Sequence, residues 1–255
     1  AAGETWDHLV ARTVASQWSG LEALSGIPGS VGAGPIQNVG AYGAEVATLI
    51  QRVHTWDRSE GRIRSFAAAE CGFGYRNSRF KREKGRHLVL RVDFQLPLGD
   101  LGHPIRYPEL ARALGVEVGQ RAPAVHVRKT VLAIRRRKGM VLDENDHDTW
   151  SAGSFFTNPI LTPEQAASLP AEAPRFSADG GTKTSAAWLI QHAGFPAGHG
   201  TGPARLSTRH VLALTNRGHA TTADVLDLAR EIRDGVRERF GITLAPEVNL
   251  VGVSI

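Results

Sequence analysis

Residues 25–43 read Ser-Gly-Ile-Pro-Gly-Ser-Val-Gly-Ala-Gly-Pro-Ile-Gln-Asn-Val-Gly-Ala-Tyr-Gly, with six glycines and two prolines in nineteen positions. Glycine is too free, and proline too short of an amide, for a helix or strand interior to tolerate that density; the stretch predicts loop and tight turns. It carries no Lys, Arg, Asp or Glu, whereas a solvated linker is more polar. Glycines spaced by small apolar residues predict backbone packed closely against something flat or against other backbone. That is either a tight turn inside a core or a run of bare amides facing the phosphates or ring edges of a ligand. The spacing matches neither GxGxxG nor a Walker loop.

The rest of the chain is that of an ordinary folded protein. Its 255 residues, 42% hydrophobic and 22% charged, suffice for one large or two smaller domains. No apolar run approaches the ~20 residues needed to span a bilayer. The first residues are neither basic nor followed by an apolar core, so no signal peptide is expected. The single cysteine, Cys71, rules out an internal disulfide framework and fits a reducing cytoplasm. The net charge of +5 favours anionic partners. The chain starts without methionine, directly in helix-like sequence, and reads as a piece of a longer protein or a processed one.

Along the chain, residues 4–18 predict a helix, with Trp6, Leu9, Val10 and Val14 on one face. Residues 49–56 and 62–66 predict strands paired across 57–61, and residues 87–96 a third strand. Residues 105–107 should be extended, with Pro108 opening a short helix. Residues 123–138 predict a helix whose last turn, Arg135 to Lys138, complements the macrodipole. The acidic run 143–148 fails the EF-hand pattern and predicts a solvated surface loop without metal. A helix is expected over 183–194 and a strand over 211–215. Thr221 and Asp224 form a capping box opening a helix to about residue 240, with Val225, Leu228, Ile232 and Val236 inward. A last strand is expected over 244–248.

Four segments carry candidate chemistry: the glycine-rich stretch, Tyr75-Arg76-Asn77-Ser78-Arg79-Phe80-Lys81, Gly153-Ser154-Phe155-Phe156-Thr157-Asn158-Pro159, and Leu244-Ala245-Pro246-Glu247-Val248. Each has an ordinary structural reading. Arg76 suits a solvated turn or a bidentate carboxylate clamp. Ser154 suits a turn cap, and no Gly-x-Ser-x-Gly elbow makes it a hydrolase nucleophile. Glu247, between apolar residues, is either at a watery edge or in a site.

Together, in this order and over nearly the whole chain, these segments resemble the UDP-N-acetylenolpyruvoylglucosamine reductase family. The resemblance implies an α+β fold. Residues 1–98 would be the second half of a two-subdomain FAD-binding module, and residues 99–255 an α+β substrate-binding domain whose C-terminal strand returns to the active site. The family's N-terminal flavin subdomain, with its glycine-rich pyrophosphate loop, precedes the point where this chain starts. The implied cofactor is FAD, with NADPH as co-substrate and a UDP-sugar as substrate. The flavin would rest on Gly26, Ile27, Pro28, Gly29, Ser30, Gly32, Ala33, Gln37, Asn38, Gly40, Ala41 and Tyr42. Arg76, Ser154 and Glu247 would be catalytic: Arg76 beside the flavin and the substrate carboxylate, Ser154 as proton donor. Tyr75, Tyr107, Lys138, Asn158 and His210 would bind substrate. Tyr107 also suits a half-buried structural role, Lys138 a helix-end cation, and His210 a satisfied strand-edge residue.

Two departures from the pattern stand out. Gly139-Met140 follows Lys138 where the family often has Leu-Pro. The lysine common near Ala197 is missing, leaving His199 or Arg205 to compensate. No metal, nucleic acid or membrane partner is implied, and the full-length protein would be a cytoplasmic monomer. The competing classes are a non-catalytic module for nucleotides or nucleic acid, suggested by the charge and the 135–138 cluster, and another flavin oxidoreductase of the same architecture. The first lacks aromatic–basic interleaving, and the second lacks Gly-Ser-Phe-Phe-x-Asn-Pro.

Overall fold

The structure is a computed structural model and describes residues 1–178 and 180–255. It divides into two compact units, residues 1–135 and 136–255.

The first unit opens with α1 (Trp6–Ala15), which buries Trp6, Val10 and Thr13 at helical spacing. The helix is shorter than its periodicity predicts. Gln17 takes φ +57 and the Trp18 amide turns back to the Thr13 carbonyl, so the chain leaves the helix there. The glycine-rich stretch is not all loop: it contains α2 (Ala33–Gln37), then β1 (Gly40–Ala41) and β2 (Ala44–Glu45) as a small hairpin. Five residues do not hold a helix alone. Here Gly34 and Pro35 are buried, and the ring of Trp6 lies 3.3 Å from where a Gly34 side chain would begin.

β3 (Ile50–Asp57), β4 (Arg62–Ala67) and β5 (His87–Phe94) form an antiparallel sheet with β3 in the centre. The period-two pattern held because one face is buried: Val53, Phe66, Val89 and Val92 pack with Trp6, Val10, Leu21 and Leu24. α3 (Arg79–Arg82) lies between β4 and β5 in sequence. α4 (Pro108–Leu114) and α5 (Ala124–Arg137) share a smaller core of Ile105, Leu110, Val127, Val131 and Ile134.

In the second unit, β6 (Ser151–Ser154), β10 (Ala204–Leu206) and β11 (Ala213–Asn216) form one antiparallel sheet in the order β10-β11-β6. β7 (Ile160–Leu161), β8 (Arg175–Ala178) and β9 (Gly181–Thr184) form another with β9 central. α6 (Pro163–Ser168), α7 (Ala186–His192) and α8 (Thr222–Phe240) complete it. The core joins Phe155, Phe156, Leu189, Ile190, Leu206, Ile232, Val236 and Leu244. α8 has the expected capping box and buries Leu228, Ile232 and Val236.

Three expectations are corrected here. Lys183 belongs to β9, and α7 starts only at Ala186, capped by the Ser185 hydroxyl. The strand expected over 211–215 starts at Ala213, because the Ala213 amide turns back to the His210 carbonyl. The last strand is a single bridge, Phe156 to Pro246. Pro246 has no amide to extend a ladder; the Ala245 carbonyl and the Glu247 amide make the bonds to Thr157 and Phe155 instead.

Asp57 closes the β3–β4 turn from inside, its side chain fully buried. It accepts from both the Nε (3.1 Å) and Nη2 (2.9 Å) of Arg86 and from the amides of Ser59 and Glu60. The Arg86 hydrogen bond, opposed by burial and helped by the two amides, holds its carboxyl down from 3.8 to about 2. A depressed carboxyl contributes stability above its unfolded pKa and loses it as pH falls through the folded one. Urea unfolding between pH 3.8 and about 2 should therefore show stability falling with pH, and Asp57→Asn should be less stable at neutral pH with a shallower acid limb. An unchanged acid limb in Asp57→Asn would contradict this role.

Candidate active site

The glycine-rich stretch is uncharged but its polar backbone is held by charged and polar side chains from elsewhere in the first unit. The Gly26 amide donates to Asp7 Oδ1 (2.6 Å), and Arg135 Nε donates to the Gly26 carbonyl (3.2 Å). Arg128 holds Asp7 with both Nη atoms, at 2.6 and 2.8 Å, and this pairing, against the opposing effect of burial, lowers the Asp7 carboxyl. Arg135 is therefore not a solvated helix-end cation. Only 7% exposed, it binds the loop and interacts with the Tyr42 phenol, whose pKa burial pushes up.

Most of the glycines here abut protein. A side chain on Gly26 would meet Leu132, on Gly32 Ala2, on Gly34 Trp6, and on Gly40 the Ala44 carbonyl and Arg76. Gly29 differs: with φ +103 and no atom within 4 Å of where a side chain would start, it leaves open backbone beside the exposed Pro28.

Residues 74–81 clamp the other end of the stretch. The Ser78 hydroxyl donates to the Ile36 carbonyl (2.7 Å). The Lys81 ammonium donates to the Gln37 side chain (2.8 Å) and the Arg76 carbonyl (3.0 Å). Arg76 Nη2 donates to the Gly40 carbonyl (2.8 Å), and its guanidinium stands 5.4 Å from the Tyr75 ring centre. Asn38, 1% exposed with φ +46, is the hub. Its Nδ2 donates to the Gly74 carbonyl and to Glu45 (both 2.9 Å), and its Oδ1 accepts from the Ala47 amide (3.1 Å). Arg76 itself has φ +51, a left-handed backbone uncommon outside glycine and asparagine. Two segments far apart in sequence thus form one piece that presents a guanidinium. Tyr42 and Tyr107 also meet, edge to face at 5.5 Å, with Tyr107 41% exposed.

In the second unit, β6 ends at Ser154, which pairs with Ala213 of β11. The Ser154 hydroxyl lies 3.5 Å from His210 Nε2. The next carbonyl, Phe155, accepts from the Glu247 amide (2.7 Å). Ser154, His210 and Glu247, all half-buried, are thus brought to one strand end, and the next two residues after Ser154, Phe155 and Phe156, are buried in the core. Asn158 is committed in part to structure: its Oδ1 accepts the Ala186 amide (2.9 Å) at the start of α7. Lys138 is half-buried in the turn where α5 stops, before Gly139 at φ +66.

The acidic run is corrected too. Asp148 is 4% exposed and accepts from the Ser207 hydroxyl, the Thr208 amide and hydroxyl, Arg209 Nε and Arg217 Nη1, all within 3.0 Å. Burial alone would raise its carboxyl, but the Thr208 amide, Arg209 and the hydroxyls outweigh it and hold it far below the carboxylate range. Nothing local marks this residue in the sequence; its partners lie 59 to 69 positions downstream.

A serine, a histidine and an aspartate are also linked across the first unit's sheet, Ser65 Oγ to His54 Nδ1 and His54 Nε2 to Asp93, both at 2.7 Å. Ser65 stands mid-strand rather than on the sharp turn a hydrolase nucleophile needs.

Comparison with known proteins matches residues 144–251 to the C-terminal domain of UDP-N-acetylenolpyruvoylglucosamine reductase and residues 1–67 to an FAD binding domain. The UDP-N-acetylenolpyruvoylglucosamine reductases of Cutibacterium acnes and Streptomyces coelicolor are each 57% identical over the whole of this chain, which covers 68% and 70% of their lengths. The crystal structure of the Thermus caldophilus UDP-N-acetylenolpyruvylglucosamine reductase is similar with a TM-score of 0.64 and 26% identity, over 97% of this chain and 70% of that one.

Asn38→Ala should cost about 2–4 kcal/mol, because it leaves the half-buried Ala47 amide without its acceptor, takes one of two donors from the Gly74 carbonyl and puts alanine in a left-handed backbone. Chemical denaturation of the variant checks this; a loss below about 0.5 kcal/mol, the range of surface substitutions, would show that the hub is dispensable.

Proposed function

The chain belongs to the UDP-N-acetylenolpyruvoylglucosamine reductase family, and on that premise we propose that it reduces UDP-N-acetylglucosamine enolpyruvate to UDP-N-acetylmuramate for peptidoglycan synthesis, with FAD as cofactor and NADPH as reductant. The observation that carries this reading is the second unit's strand end. A serine hydroxyl is a poor acid by itself, and Ser154 has an imidazole at 3.5 Å and is followed by two buried phenylalanines.

The flavin fit is argued from the first unit. The open backbone at Gly29 can take the edge of a flat ring, while Asp7, Arg128 and Arg135 keep that backbone in place. Bound FAD would supply the reducing equivalents it receives from NADPH to the vinyl carbon of the substrate. The rest falls to side chains. Arg76 holds the substrate carboxylate with its planar fork and neutralises the charge that builds up beside it. Ser154 delivers a proton to the neighbouring carbon. Glu247, sharing a proton with the substrate carboxylate, donates a hydrogen bond to the developing enolate. Tyr75, Tyr107, Lys138, Asn158 and His210 bind the UDP-sugar. Residues 1–98 serve the flavin and 99–255 the substrate.

Cytoplasmic location and a monomeric full-length protein complete the reading. It is supported by the buried free thiol of Cys71 and by the absence, among the described residues, of any helix long and apolar enough to cross a membrane. Nucleic acid is not a partner in this reading, since the basic cluster loses Arg135 to the interior.

Two variants test the assignments in flavin-loaded protein. Arg76→Lys keeps the charge but loses the fork, and turnover should fall well over tenfold; a change within about threefold, under ~1 kcal/mol, would remove Arg76 from the carboxylate. Ser154→Ala should leave reduction of the flavin by NADPH near normal and slow reoxidation by the enolpyruvyl sugar by about 10²–10⁴-fold, both followed by flavin absorbance. Equal slowing of the two would mean that Ser154 shapes the flavin pocket and is not the acid.

A further inference from the structure

We propose that His210 is the group that returns a proton to Ser154, and that Asp148, acting through Ser207, is the positioning residue that holds His210 in place. This rests on Ser154 being the proton donor. It takes His210 beyond the ligand contact that the sequence pattern assigns to it.

The geometry forms a continuous chain within the second unit. Asp148 Oδ2 accepts the Ser207 hydroxyl proton at 2.9 Å. With its proton so directed, the Ser207 oxygen turns its lone pairs to the backbone and accepts the amides of Arg209 (3.1 Å) and His210 (3.2 Å). Thr208 is fixed by the same carboxylate through amide and hydroxyl, and Arg209 through its Nε. The turn 207–210 is therefore tied down at every residue by one buried carboxylate or by the hydroxyl it orients. The Ala213 amide closes the turn on the His210 carbonyl. Ala213 in turn is the strand partner of Ser154. Backbone and side chain thus set the same distance, and His210 Nε2 stands 3.5 Å from Ser154 Oγ. That is long for a hydrogen bond, and such contacts tighten when substrate is bound.

An isolated buried carboxylate is expensive, and one satisfied by this many donors is a rigid anchor. Its rigidity points toward the strand end that carries Ser154. The proton accounting is simple. As the new C–H bond forms on the substrate, the Ser154 O–H bond breaks and its electron pair stays on Oγ. The Nε2–H bond of His210 then breaks as Ser154 O–H re-forms, and His210, half-buried, takes its replacement from water. No oxidant or further reactant is needed.

The experiment compares the two half-reactions in flavin-loaded enzyme for His210→Ala, His210→Gln and Ser207→Ala, with Ser154→Ala alongside. His210→Ala should slow flavin reoxidation at saturating enolpyruvyl sugar by about 10²-fold or more, with flavin reduction by NADPH near normal. Added imidazole should restore a substantial part of the rate to His210→Ala and nothing to Ser154→Ala. Glutamine can hydrogen-bond from the same position but gives up no proton at neutral pH, so His210→Gln should remain slow. Ser207→Ala, which leaves His210 present but misplaced, should cost about tenfold or more in the same half-reaction. Asp148→Asn should do likewise if it folds; Ser207→Ala carries the test if it does not. Loss of UDP-sugar affinity in His210→Ala at an unchanged rate constant, or a fully active His210→Gln, would overturn the relay and leave a ligand contact. Normal reoxidation in Ser154→Ala would overturn the underlying reading instead, so the two failures are distinguishable.

Discussion

A chain segment without charged residues still carries an N–H and a C=O at nearly every position, and none can be buried unpaired at low cost. That constraint organises the first unit. Residues 25–43 satisfy themselves only in part, and further partners come from six residues in three places: Asp7 on α1, Gly74, Arg76, Ser78 and Lys81 after β4, and Arg135 on α5. Each is in turn fixed by something else, Asp7 by Arg128 and the Arg76 carbonyl by Lys81. What looks like a flexible loop is as constrained as a helix. A guanidinium mounted on it inherits that rigidity, which is what recognition of a planar carboxylate requires.

The second unit solves the same problem with the polarity reversed. There a single buried carboxylate, Asp148, gathers donors from the turn 207–210, and the turn carries an imidazole to the end of β6. In both units a buried ionic group makes position rather than stability. A buried ion pair is weak evidence for stability, but it fixes one geometry well, and in the second unit the chain from Asp148 through Ser207 and His210 ends at Ser154.

These anchors were the part of the protein that sequence reasoning could not reach. The β3–β4–β5 sheet and α8 were legible because their signals are local: alternation across one buried face, and a capping box followed by apolar residues at helical spacing. α2 was not, because a five-residue helix containing glycine and proline exists only where Trp6 covers it. Asp148 was hidden among five other acidic or polar neighbours that are solvent-facing or half-buried, and Arg135 among three other basic residues. In each cluster one member is buried and the choice is made by residues far along the chain. The family pattern pointed to Arg76, Ser154 and Glu247, and the structure adds why Ser154 and Glu247 come to one place: the Phe155 carbonyl and the Glu247 amide bond across the Phe156–Pro246 bridge.

The most direct measurement of the central claim is turnover itself. Flavin-loaded protein is mixed with NADPH and UDP-N-acetylglucosamine enolpyruvate under anaerobic conditions, and the product is followed by mass spectrometry. The account predicts that the sugar gains two hydrogens and becomes UDP-N-acetylmuramate, with NADPH consumed in step. NADPH consumed without any change in the sugar's mass, or no consumption by fully flavin-loaded protein, would contradict it.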